Sequence, residues 1–349
     1  MFTSTPAFAT GGNERLYARN TAVMTTDLQP KMTGSAGKPV AEFKHVPLWR
    51  VRLGLMMRGL RSSWALFSEN PIGLIGLGVI AFFALMTVVH PILMKTVWEP
   101  RTYDPVVGFD METAYHPAPP SARHLLGTDP IGRDVLSQLM YSTRNEFLLG
   151  IMAAVFTVVI GTSIGAMAAY FGGVVDMLFM RLANLVIMIP ALSILIVLSA
   201  LASIGMLELA VVIGILSGFG GITVIIKSQG LAIKVKPYIE AARVAGGGHW
   251  HIIFRHMIPN LLPLSLLYMM FTVTGAIFSE AVLSFFGLTE ISMSWGIMIN
   301  TAQVFGYLLR FDSWFLVVPA SLAISLLCSA FYLVGRALDE VVNPRLRRR

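Results

Sequence analysis

The sequence predicts an all-α protein that crosses a membrane six times, and three observations carry that prediction. Hydrophobic residues make up 55% of the 349 and charged residues only 13%, about half the charged share of a soluble domain. Six runs are nearly free of charge and reach the roughly 20 residues needed to span a ~30 Å hydrocarbon core. The basic residues gather on alternate sides of those runs. A soluble enzyme of this length would need a polar surface that this composition does not supply. A disordered chain would be poor in apolar residues, so that class is excluded as well.

Taken in order, residues 1–45 are rich in Gly, Ser, Thr and Pro and read as a disordered cytoplasmic tail. Ala7-Phe8-Ala9 has the small residues of a cleavage site, but no basic and apolar segment precedes it, so a cleavable signal peptide is not indicated. Over 46–70, Arg50, Arg52, Arg58 and Arg61 mix with Leu, Val, Met and Trp64. That pattern suits an interfacial amphipathic helix, and also an ordinary basic flank. The first span follows at 71–94. The extracytoplasmic loop, 95–145, carries six prolines and is irregular, with a helical end at Val135 to Glu146.

A core of five further spans fills 146–337. The second span follows Glu146, from Phe147 to about Tyr170, and the third runs from Leu182 to about Met206 with Pro190 in its middle. The fourth begins at Leu209 and meets its first charge at Lys227. The fifth lies between Arg255 and Glu280, and the sixth runs from Phe315 to about Leu333. A basic cytoplasmic tail, 338–349, closes the chain. With six spans both termini share a side, and that side holds 20 Lys and Arg against 6 on the other. Both termini are therefore expected in the cytoplasm. The net charge of +7 is accounted for by orientation, and no nucleic-acid partner is needed to explain it.

The most informative segment is the cytoplasmic loop between the fourth and fifth spans, 228–257. Pro237 suits the first turn of a helix, and Glu240 beside it favours the positive end of the helix dipole. Gly246-Gly247-Gly248 then stops that helix and permits a sharp turn. A second short helix rich in apolar and aromatic residues leads to Pro259. Exposed apolar groups on such a helix–turn–helix are covered either by a partner protein or by the chain's own membrane domain.

Glu240-Ala241-Ala242, Gly246 four residues on, and the string from Arg255 to Asn260 resemble the EAA loop of bacterial ABC importer permeases. Further segments are similar to the C-type permease of the dipeptide, oligopeptide and nickel importers. They are Asn70-Pro71, Tyr103-Asp104-Pro105, the string from His124 to Ser137, Gly172-Gly173 with Asp176 and Arg181, Glu280 to Leu288, Ser294-Trp295-Gly296 and Asn343 to Arg347. The resemblance covers about 68–347. Local departures are the glycine triplet, expected to loosen the turn, and Val224, Asn184 and Arg336 where relatives often carry Arg, Asp and an acidic residue.

The resemblance implies a type I ABC importer permease fold in a bacterial or archaeal cytoplasmic (inner) membrane. It implies a second, B-type permease subunit, two cytoplasmic ATPase subunits that use ATP and Mg, an extracytoplasmic solute-binding protein, and surrounding membrane lipid. Di- or oligopeptides are the implied cargo, with nickel, an oligosaccharide or another small solute as alternatives. A secondary transporter is a rival that leaves the loop unexplained. Glu240, Ala241, Ala242 and Gly246 are implied to couple the permease to the ATPase, with Trp250, Ile253 and Phe254 supplying apolar contact. Glu280 is read either as part of the pathway or gate, or as a structural contact near the outer interface.

Enzymatic chemistry is not legible. No Gly-x-x-x-x-Gly-Lys-Ser/Thr string exists, so ATP hydrolysis falls to a partner. His249, His251 and His256 lack the spacing of a metal site, and no nucleophile–base arrangement can be read. The expectation is a transport subunit that itself binds no metal or cofactor.

Overall fold

A computed structural model describes residues 64–342, together with Met57 and Arg61. The expectations for residues 1–45, for most of the helix at 46–70 and for the last residues of the basic tail lie outside the described residues. Among the described residues there is no strand, and one isolated bridge joins Thr128 to Asp134.

Helix α1 (Pro71–Thr96) starts where it does because Asn70 caps it. The Asn70 Oδ1 accepts from the N–H groups of Ile72 and Gly73 at 3.0 and 3.1 Å, and Pro71 occupies the first turn. The same side chain donates to Glu340 Oε2 at 2.7 Å, tying the start of the first span to the end of the last. A single turn, α2 (Pro100–Tyr103), lies in the outer loop. Helix α3 (Val135–Phe171) is capped by Asp134, whose Oδ1 accepts from Ser137 N at 2.6 Å, and it stops at Gly172. The expected second span is thus the inner part of a longer helix.

The expected third span is broken. Helices α4 (Gly173–Met188) and α5 (Ala191–Leu201) meet at Ile189–Pro190 with a bend of 79°. Pro190 has no N–H to donate and disfavours helical geometry at the residue before it; Ile189 is accordingly extended. Helices α6 (Met206–Ser217) and α7 (Thr223–Lys234) form the next span, joined by a π turn at Gly218–Ile222 in which Gly220 leaves helical geometry. This span continues past Lys227, where the sequence suggests its end. The Lys227 ammonium is neutralised by Asp176 of α4 at 2.6 Å, so the charge does not force the helix out of the bundle.

Two short helices, α8 (Pro237–Val244) and α9 (His249–Ile252), fill the connecting loop, and a π turn at Ile253–Met257 leads into α10 (Ile258–Phe285). Helix α11 (Trp295–Val304) is capped by Ser294, and α12 (Trp314–Val342) ends the described chain. Among the described residues, five helical stretches are long and apolar enough to cross a membrane, or six with the bent α4–α5 pair.

Helix α3 is the central post, packed against α1, α6, α7 and α10, while α12 lies against α1 and α10. Small residues allow the close approach that lipid-embedded helices rely on. A Cβ at Gly161 would lie 2.8 Å from Ile222, and one at Gly165 2.8 Å from Ile226, so α3 and α6–α7 touch nearly backbone to backbone. Three of the four buried clusters among the described residues matter here. One centres on Trp295, Phe83 and Phe315; one on Leu149, Leu195 and Leu209; one, below the α8–α9 loop, on Tyr170, Ile226, Ile239 and Ile253.

Candidate coupling loop and a buried carboxyl pair

Helix α8 ends in a Schellman turn built on the glycines. The N–H of Gly246 donates to Arg243 O at 3.1 Å and the N–H of Gly247 to Ala242 O at 3.0 Å. Gly246 sits at φ +84, a left-handed conformation that costs a residue with a Cβ ~1–2 kcal/mol. A Cβ on Gly247 would lie 2.7 Å from Ala242 O. The triplet therefore closes the turn tightly, where the sequence suggests a looser one: two of its glycines meet separate steric demands.

The loop is anchored from beneath and bare above. Ile239, Ile252, Ile253 and Met257 are fully buried and pack on Tyr170, Ile226, Ile233 and Leu261. Ile253, expected to offer apolar contact outward, faces inward instead. It starts the π turn and is buried in the same cluster as Ile252. Trp250 and Phe254 do face outward, 56% and 59% exposed, with rings stacked at 6.0 Å. Phe171, at the end of α3, extends that aromatic row, 5.9 Å from Trp250.

Glu240 and Ala241 are exposed, Ala242 is half-buried and Gly246 is exposed with no neighbouring atom where a Cβ would point. Among the described residues the Glu240 carboxylate has neither a hydrogen bond nor an ion pair. The loop is fixed laterally by Tyr170, whose hydroxyl is 2.9 Å from His249 Nδ1 and whose ring lies 5.9 Å from the Arg243 guanidinium. His249 is thus occupied by a structural contact. Among the described residues no group of three His, Cys, Asp or Glu could hold a metal.

Glu280 is in a different place from the one its charge suggests. It lies inside α10, 1% exposed, and faces Glu146 of α3 across a small space lined by Asn145, Leu149, Ile291 and Ser294. Its Oε1 accepts from Ser284 Oγ at 2.5 Å, and neither carboxyl forms an ion pair among the described residues. A pathway or gate role does not suit a side chain aimed into the subunit's own core. Asp176 and Arg181, both on α4, are not paired with each other: Asp176 joins Lys227 and Arg181 is exposed.

Residues 161–348 match the family of binding-protein-dependent transport system inner membrane components, more than half of the chain. The chain belongs to this family. The dipeptide transport system permease protein DppC of Bacillus subtilis is 32% identical over 290 residues, covering 82% of this chain and 86% of that protein. The oligopeptide transport system permease protein OppC of Haemophilus influenzae is 31% identical over 284 residues, covering 80% and 87%. The glutathione transport system permease protein GsiD of Pectobacterium atrosepticum is 31% identical over 235 residues, covering 65% and 75%.

The chain is a multi-pass transport subunit that works within a larger transport complex. Its matched region contains the whole α8–α9 loop. Sequence reasoning finds Glu240, Gly246, Trp250 and Phe254, because turn chemistry and exposed aromatics are local signals. It misses Tyr170, Ile239 and Ile252, which look like ordinary apolar residues of a helix. It also misses Glu146, which reads as a span boundary. The one available signal is a carboxylate next to a long apolar run.

Proposed function

We propose that the chain is the C-type permease subunit of an ATP-driven peptide importer in a bacterial or archaeal cytoplasmic membrane, with both termini in the cytoplasm. It pairs with a B-type permease, two cytoplasmic ABC ATPases and an extracytoplasmic binding protein. The observation that carries the reading is the α8–α9 loop: rigid, rooted in the bundle core by Ile239, Ile252 and Ile253, and presenting Trp250, Phe254 and the uncompensated Glu240 outward. An element meant only to join two spans would have no reason to be stiff and sticky at once. A lever that passes movement from an ATPase to the bundle needs both properties. Peptide cargo is supported by the dipeptide, oligopeptide and glutathione permeases among the relatives.

The chain itself contributes no step of ATP hydrolysis. Closure of the ATPase pair would pull on the exposed aromatic face, and the buried isoleucines would transmit that movement to α7 and α10. The test is to purify the assembly through a tag on this chain and measure ATP hydrolysis with its binding protein. ATPases that co-purify, and hydrolysis stimulated by peptide-loaded binding protein, are expected. Stimulation by nickel or an oligosaccharide but not by peptide would sink the cargo assignment. Ion-driven uptake by the chain alone would sink the importer.

A further inference from the structure

Glu146 of α3 and Glu280 of α10 meet inside the bundle, each 1% exposed. Both oxygens of Glu146 and Oε2 of Glu280 are buried with no hydrogen-bond partner. The two side chains line a space too small for a water molecule, so no hydrated ion fits between them, and no third acidic, His or Cys ligand completes a metal site among the described residues. Two carboxylates face to face in a low-dielectric site cannot both stay ionised, because each repels the other and neither is solvated. One shared proton removes one of the charges and supplies a donor between the remaining oxygens.

Among the described residues no cation answers the pair. Arg144 lies two residues from Glu146, but it is exposed and lines a separate cleft with His90 and Lys95 of α1. Lys227 of α7 abuts Gly165, about five turns along α3 from Glu146, and is held by Asp176. The loop after α10 brings Ile291 and Ser294 to the space, and α5 and α6 bring Leu195 and Leu209 to the cluster around Leu149. From α12 the Cys328 thiol is within electrostatic reach of Glu146; it donates to Thr274 O at 3.6 Å and adds no positive charge.

A chain of hydroxyls connects the pair to one end of the bundle. Ser284 Oγ donates its only hydrogen to Glu280 Oε1 at 2.5 Å, so the Thr289 hydroxyl, 2.7 Å from Ser284 Oγ, donates to it in turn. Thr289 also lines a cavity of about 340 Å³, together with Ser199, Ser203 and the exposed Glu290. That cavity is polar and large enough for water. It lies where α5 and α10 end, opposite the α8–α9 loop. A proton that binds Thr289 Oγ1 releases the Thr289 hydrogen to Ser284 Oγ, and Ser284 releases its own to Glu280 Oε1. The pair gains one proton and both hydroxyls are left neutral.

We propose that Glu146 and Glu280 form a proton-binding site that joins α3 to α10, loaded from this cavity through Thr289 and Ser284. With one proton the pair attracts and holds the two helices together at this level. Without it, two facing carboxylates push them apart. The joint therefore responds to pH on the side of the cavity, which is the extracytoplasmic side in the orientation given above. Only that side depends on the orientation; the site does not depend on the importer reading.

The test is infrared spectroscopy of the assembled transporter, purified through a tag on this chain at about pH 7, where free carboxyls are ionised. The difference between the native protein and the double variant Glu146→Gln with Glu280→Gln should show one protonated carboxyl and one carboxylate. No protonated carboxyl in that difference would overturn the proposal, and two with no carboxylate would overturn the sharing. Glu146→Gln alone should also lose the protonated band, because its amide donates where the proton sat, and it serves if the double variant does not fold. A band that persists in it would assign the proton to Glu280 alone and overturn the sharing.

Transfer to deuterated water then tests the route. The protonated band should shift at least about tenfold more slowly in Ser284→Ala and in Thr289→Val than in the native protein, as expected when a positioned proton carrier is lost. Ser279→Ala is the control, since its hydroxyl donates to Gly275 O on the exposed side of α10, and it should shift at the native rate. Native rates in both Ser284→Ala and Thr289→Val would overturn the route.

Discussion

The loop between α1 and α3 and the loop between α7 and α10 handle their polar groups in opposite ways. In the first, His124 bridges two buried carboxylates, with Nδ1 2.8 Å from Asp134 and Nε2 3.1 Å from Asp110. Asp129 Oδ1 accepts from the N–H groups of Ile131 and Arg133, both at 2.9 Å, and its Oδ2 accepts from Arg133 Nε and Gln138 Nε2. Arg123 adds contacts to Asp110 and Glu112. This loop satisfies itself. In the second, Glu240 has no partner among the described residues, and Trp250, Phe254 and Val244 stand exposed. The difference lies in polar pairing, since both loops expose large apolar side chains, Tyr115 and Leu125 in the first among them. Both loops carry strings similar to a known family, so resemblance alone does not tell them apart.

The change that bears most directly on transport is at Gly246. Gly246→Leu forces a branched side chain into the left-handed region at a cost of ~1–2 kcal/mol and reshapes the turn without touching the core. The subunit should still reach the membrane, but uptake should fall at least about tenfold relative to ATP hydrolysis, a factor worth ~1.4 kcal/mol. Gly246→Asn, which tolerates that geometry better, should keep more of the coupling. Normal coupled uptake by Gly246→Leu would contradict the role of the turn.

A pair of substitutions next divides anchor from contact. Ile253→Ala opens a cavity under the loop and should destabilise the subunit by ~2–5 kcal/mol, seen as a lower melting temperature and poorer yield. Trp250→Ala should leave melting nearly unchanged, yet weaken ATPase retention during purification by ~2 kcal/mol, the scale of an interfacial aromatic. Melting that falls for Trp250→Ala and not for Ile253→Ala would reverse the assignment.

The smallest effect is the acid response of the outer loop. Burial alone would raise the Asp110 carboxyl; hydrogen bonds from Thr113, the Glu112 N–H and His124, with the charge of Arg123, outweigh it and lower the pKa from 3.8 to about 2. A carboxylate held below its unfolded value stabilises the loop above that value and loses its contribution as pH falls through the folded one. The Asp110 contribution should therefore be intact at pH 5 and lost between about pH 4 and 2. Asp134, raised by burial, acts in the opposite sense over the acid range. Pepsin cleavage within 104–134 should increase across this window, and Asp110→Asn should flatten the response. A flat response in the unaltered protein would show that the network does not hold the loop.

Much of this is legible in the residues. Charge-free runs mark where helices cross, because hydrocarbon tolerates few charges and each run carries its own signal. Pro237, Glu240 and the glycine triplet mark a helix and its stop, because those preferences act within a few residues. Lys227 misleads for the same reason: read alone it ends a span, and its neutralising Asp176 is distant in sequence. Pro190 is visible, but the 79° bend that breaks its span appears only in the folded chain.

What the sequence by itself determined was the membrane class, the apolar runs that become the long helices and the position of the helix–turn–helix loop between the fourth and fifth of them. Only the tertiary structure decided that Ile253 turns inward while Trp250 and Phe254 stay out. Only it brought Glu146 to Glu280, and linked the pair through Ser284 to Thr289. The physical reason is the range of the forces involved. Hydropathy and turn geometry are written in adjacent residues, whereas burial, pairing and cavities belong to side chains that meet after the helices have packed.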